Sequence, residues 1–113
     1  MLTPKTPIIR SEKHRRFIAS LPCVVSLSND VQAAHVRRGN ICGIGMKPSD
    51  EFCLPLSVSE HAKQHKIGEL KYWYPYGGYE KAAVLAKKLY AVTGNGKEAM
   101  KLIMEFRNAF HSM

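Results

Sequence analysis

The sequence predicts an α+β fold, and three observations carry the prediction. VQAAHV (Val31 to Val36) and the stretch from Glu51 to Leu56 have the β-branched, apolar character of short strands. Ser57 and Glu60, in SVSE, form a capping-box pattern that opens a helix. Apolar residues then recur at helical spacing in two C-terminal segments. With 113 residues, 45% of them hydrophobic, the chain has material for one compact domain over 1–113 and no room for a second.

The elements follow in order. MLTPKTPIIR is interrupted by proline and reads as an extended arm, and Ser11 caps a short basic helix, SEKHRRFIAS, which stops before Leu21 and Pro22. Residues 1–20 thus form a basic arm and helix suited to facing DNA. VVSLS and VQAAHV read as the two strands of a hairpin, with Ser28, Asn29 and Asp30 supplying the turn. RRGNICGIGMKPSD, with its glycines and proline, is an irregular loop. A strand over Glu51–Leu56 and a helix from Val58 to Ile67 follow, ended by Gly68 in the left-handed conformation, which completes a core unit over 21–68.

KYWYPYGGY reads as an aromatic connector broken by proline and glycine. A helix from Glu80 to Val92 is marked by Val84, Leu85, Leu89 and Val92. A last helix carries the stripe Ala99, Leu102, Ile103, Phe106 and Phe110 after an Asn95 cap. These two form a helical hairpin over 79–111. No internal repeat or low-complexity tract is visible.

The 17 Lys+Arg against 9 Asp+Glu leave a formal charge of +8, which favours polyanionic partners through release of condensed counterions. Cys23, Cys42 and Cys53 are odd in number and lack CxxC spacing, so neither a disulfide framework nor a four-cysteine zinc site follows, and a reducing, cytoplasmic setting is expected. Met1 to Arg10 has no apolar signal core, and no stretch is long enough to span a bilayer, so no membrane partner is expected.

The sharpest local signal for chemistry is His61 and His65, four residues apart on the expected helix, where both imidazoles project from one face and can share a metal ion. Upstream, His35 stands near a strand end beside Arg37 and Arg38. Taken singly, each has a plainer reading: a hydrogen-bonded structural histidine for His35, and a solvated surface for Arg37, Arg38 and Lys47. Tyr72, Trp73, Tyr74 and Tyr76 suit core packing better than base stacking, and Gly43 to Gly45 is too short for a phosphate-binding fingerprint. His14 and His111 receive no role.

The segment AAHVRRGNICGIGMKPSDEFCLPLSVSEHAKQHKIGELKYW, from Ala33 to Trp73, resembles phage and prophage endonucleases of the HNH (ββα-metal) superfamily, a group related to the RecA-dependent phage nuclease Ref. Their pattern runs roughly AH.R, G.G.KP.D, then PLC..CH..QH..GE..FW. The resemblance implies a small ββα-metal finger with flanking helices and a nuclease that hydrolyses DNA phosphodiester bonds. It implies His35 as general base, His61 and His65 as metal ligands, and Asp50 at a middle position that orients the hairpin, approaches the metal or ends the loop. Arg37, Arg38 and Lys47 would contact the DNA backbone. The cofactor implied is one divalent ion, Mg²⁺, Mn²⁺ or Zn²⁺, and recombination proteins are candidate partners.

The chain departs from that pattern in two places. Relatives place structural-zinc ligands where this sequence has Cys23, Ser26, Ser57 and Glu60, so no structural zinc is expected and the capping box takes over the helix start. Ala34 stands where many HNH enzymes have a metal ligand, which leaves open a second reading, a non-catalytic nucleic-acid-binding protein with a degenerate site. A third is a metal-stabilised interaction scaffold.

Overall fold

The computed structural model describes residues 8–37 and 48–111. The fold is α+β: α1 (Glu12–Ala19), β1 (Val31–His35), a 3-10 turn at Asp50–Phe52, β2 (Cys53–Ser57), α2 (Val58–Ile67), α3 (Glu69–Trp73), a 3-10 turn at Tyr74–Tyr76, α4 (Tyr79–Ala91) and α5 (Gly96–His111). Among the described residues no helix is long and apolar enough to cross a membrane.

The sheet corrects one expectation. β1 pairs antiparallel with β2, in the register Val31↔Ser57 to His35↔Cys53, and not with VVSLS. Residues 23–28 instead close on themselves: Cys23 N–H donates to the Ser28 carbonyl and Leu27 N–H to the Cys23 carbonyl, both at 2.9 Å, with Leu27 at φ 61. Backbone groups spent inside a turn cannot form a ladder, and the fully buried Val24 side chain enters the core. Arg107 on α5 anchors this loop by donating to the carbonyls of Val24, at 3.1 Å, and Val25.

Every residue of β2 is buried, whereas β1 is partly open. Proline at position 55 costs the ladder no donor: Val36 N–H donates to the Phe52 carbonyl and Val58 N–H to the Asp30 carbonyl, so the bonded pairs alternate past Ala33↔Pro55, and the Pro55 backbone points away from β1. The Pro55 carbonyl accepts from Val24 N–H at 3.0 Å. The core of Ile18, Val24, Leu54, Leu56, Trp73 and Leu89 joins the sheet to the N-terminal helix and the C-terminal pair. α5 starts as expected, with Asn95 Oδ1 accepting from Glu98 N–H at 3.2 Å.

β2 runs directly into α2, whose bounds match the expectation. Ser57 Oγ accepts from Glu60 N–H at 3.2 Å, but the reciprocal half of the capping box is absent: Glu60 Oε1 accepts from Tyr72 OH at 2.6 Å. Gly68 does end the helix with positive φ, at 88, but its ψ of 149 is extended and not left-handed helical, so the chain turns straight into α3. The expected irregular connector is therefore partly helical through Glu69–Trp73. Tyr72 and Trp73 are buried in it, as packing requires, while Tyr74 is exposed.

Candidate functional site

β1 ends at His35, and the register sets it opposite Cys53 at the start of β2. The His35 ring meets Asp50, with Nε2 lying 2.9 Å from Oδ1. Asp50 is only 1% exposed, and its carboxylate also accepts from Ser11 N–H at 2.7 Å and from the Arg15 guanidinium, with Arg10 at 3.7 Å. Burial pushes this carboxyl upward, but the hydrogen bonds from His35, Ser11 and Arg15 outweigh it and hold the group below its ordinary value. An ionised carboxylate can only accept, so His35 Nε2 carries a proton, and in the neutral ring the lone pair is on Nδ1.

The N-terminal segment builds this arrangement. Asp50 N–H donates to the Ile9 carbonyl at 2.8 Å, Ile9 N–H to Ser49 Oγ at 3.0 Å, and Arg10 to the Pro48 carbonyl at 2.7 Å. Residues 9–11 thus clamp 48–50 in place. On α1, Arg16 pairs with Glu12 in solvent at 3.0 Å, while Arg15 turns toward Asp50. The part of the helix expected to face DNA contributes one guanidinium to the site.

His61 and His65 on α2 meet as their spacing predicts, Nε2 to Nε2 at 3.1 Å. Two nitrogens each about 2.1 Å from one ion would subtend roughly 95°, so the donor pair fits a shared divalent cation. His61 Nδ1 lies 2.8 Å from Gln32 Oε1 on β1. The His61 pKa is lowered, by burial first and then by His65 and His35, and a neutral imidazole is the form that ligates.

His35, His61 and His65 line one cleft of about 620 Å³, with Arg15, Arg37 and Glu69 also on its walls. Arg37 is held by its backbone N–H donating to Glu69 Oε2 at 2.7 Å. Arg38 and Lys47, expected at the phosphate site, lie outside the described residues, as do Cys42 and the Gly43–Gly45 stretch. Ala34 is buried and does not line the cleft.

Among the described residues, His35, Asp50 and Cys53 have potential ligand atoms within 4.8 Å of one another and could hold a metal ion. This trio differs from the sequence-assigned pair. Its carboxylate already serves Ser11, His35 and Arg15, so a cation there would sit against a guanidinium group. No third His, Cys, Asp or Glu forms such a group with His61 and His65 among the described residues.

The positions expected to have lost a zinc are knit together by hydrogen bonds. Ser26 N–H donates to Cys23 Sγ at 3.4 Å. Burial raises the Cys23 thiol pKa, but hydrogen bonds from Ser26 and from the backbone of Ser57 and Val25 bring it below its ordinary value. Tyr72 occupies Glu60, and burial followed by that carboxylate pushes the phenol strongly upward.

Sequence reasoning missed Gln32, Arg15 and Gln64. The last is 3% exposed, lines the cleft, and has an Nε2 without a hydrogen-bond partner among the described residues. No local signal could have found Gln32 or Arg15, because their partners are distant in the chain. A scan of family models, a search of curated proteins and a search of solved structures each found no match.

Proposed function

We propose that this chain is a metal-dependent DNA endonuclease of the HNH type. The reading rests on one observation: His35, with Nε2 tied to a buried carboxylate, lines the same cleft as His61 and His65, whose Nε2 atoms meet each other. A bound divalent ion, held by His61 and His65, would supply positive charge to the scissile phosphate and the leaving oxygen. His35 Nδ1 takes a proton from water as the water oxygen bonds to phosphorus and the P–O bond to the leaving sugar oxygen breaks, and that oxygen takes its proton from solvent. Asp50 holds the base tautomer and stabilises the imidazolium that forms, while Arg15 and Arg37 bind phosphate.

The test is nicking of supercoiled plasmid by purified protein with Mg²⁺ or Mn²⁺. His35→Ala abolishes nicking and leaves metal binding intact, whereas His61→Ala weakens both. Unchanged nicking by His35→Ala removes the assigned base. A non-catalytic nucleic-acid-binding protein is favoured by the lack of a third His, Cys, Asp or Glu grouped with His61 and His65 among the described residues. Salt-dependent gel shifts without any nicking select that reading.

A further inference from the structure

We infer that Gln32 is a positioning residue for metal capture: its side-chain carbonyl fixes the protonation pattern of His61 so that the Nε2 lone pair faces the cleft. This deepens the proposed nuclease reading and rests on His61 as a ligand. The observation is the 2.8 Å contact between Gln32 Oε1 and His61 Nδ1. An amide oxygen can only accept, so His61 carries its proton on Nδ1. The opposite nitrogen then has a lone pair, and in the metal-free site the 3.1 Å contact is His65 Nε2–H donating to it, a proton that passes to Nδ1 of the exposed His65 ring through solvent when both Nε2 atoms ligate.

Without this contact a neutral imidazole is free to carry its proton on Nε2, the atom that must ligate, and the ring is free to rotate about χ2. A hydrogen bond from the non-ligating nitrogen removes both losses, and outer partners of this kind typically contribute about 10–100-fold to metal affinity. Gln32 suits the task because it reaches α2 from β1 while its own backbone is held in the ladder opposite Leu56. The two strands and the helix therefore set the ligand geometry together. The side chain is exposed, so replacing it leaves the core intact.

The experiment uses the full chain with Mn²⁺ alone as probe, reading affinity by paramagnetic resonance, and nitrogen NMR of the metal-free protein above the histidine titration range to locate the His61 proton. Gln32→Leu is expected to move the His61 proton off Nδ1 and to weaken Mn²⁺ binding by about 10–100-fold. Gln32→Glu, which keeps an acceptor, restores both. Gln32→Met repeats the removal with an unbranched side chain should the leucine variant fold poorly. Retention of the proton on Nδ1 in Gln32→Leu or Gln32→Met, with Mn²⁺ affinity within about twofold of the parent, overturns the inference. His61→Ala separates the two levels. If it loses Mn²⁺ while the Gln32 variants do not, the inference alone fails; if it binds Mn²⁺ like the parent, the ligand assignment beneath it fails.

Discussion

Replacement of Asp50 by asparagine changes one oxygen to an NH₂ group and tests both the fold and the base. If the amide turns its NH₂ toward Ser11 and Arg15, it confronts two donors that the carboxylate now satisfies. If it turns the NH₂ toward His35, the imidazole must accept through Nε2, which moves the ring proton to Nδ1 and removes the lone pair that takes a proton from water. Hydrogen bonds to charged groups are each worth about 1.5–3 kcal/mol, and two of them are compromised in the first arrangement. Arg15 and Arg10 are 38% and 43% exposed, so water compensates much of the ion-pair part. A loss of about 2–4 kcal/mol is expected of that first arrangement, which keeps the oxygen on His35 and so keeps its tautomer. Trp73, the sole tryptophan and fully buried, reports unfolding by fluorescence in urea. The second arrangement keeps an oxygen on Ser11 and Arg15 and should instead show in the nicking assay, as a loss of roughly 10³–10⁴-fold in rate with the histidine base held in the wrong tautomer. An unchanged urea midpoint together with a rate within about tenfold of the parent would refute the assigned hydrogen bonds and the role built on them.

Four further outcomes are expected. Arg37→Gln should weaken DNA binding about equally across sequences and lower the slope of log affinity against log salt by about one, measured by gel shift over a salt series. His14 is fully buried, with Nδ1 2.7 Å from Thr93 Oγ1, and burial lowers its pKa more than the Asp50 charge raises it. The unfolded chain then binds more protons, so stability is complete above the ordinary value of 6.5 and falls as pH drops below it. Urea midpoints across that range should change less in His14→Gln, with a remaining slope of the same sign from His61. Tyr72→Phe should cost about 1.5–3 kcal/mol by removing the 2.6 Å bond to Glu60, read as a lower urea midpoint. EDTA should stop nicking and leave the midpoint of the parent unchanged, whereas a fall would reveal a structural metal.

Much of the fold was legible because its determinants lie within a few residues. α2 begins where the Ser57 oxygen captures Glu60 N–H and ends at Gly68, both visible in the order of residues. The apolar stripes of α4 and α5 mark the faces that bury Leu85, Leu89, Ala99 and Ile103. His61 and His65 meet because helical geometry brings residues four apart onto one face.

Which strand β1 would pair with was not legible, since residues 23–28 and 53–57 are both apolar and a strand pattern does not name its partner. The same limit hid the side-chain partners. Asp50 reads as a loop-ending residue until Ser11 and Arg15 arrive from the N-terminal helix, and Glu60 reads as half of a capping box until Tyr72 takes its carboxylate. Gln32 has no visible purpose on a strand until α2 lies across it. Helix starts, stops and faces depend on bonds and contacts spanning one turn of chain, so the order of amino acids encodes them directly. The surroundings of His35 depend on packing distant segments into one low-dielectric space, where the cost of burying Asp50 unpaired selects the partners that surround it.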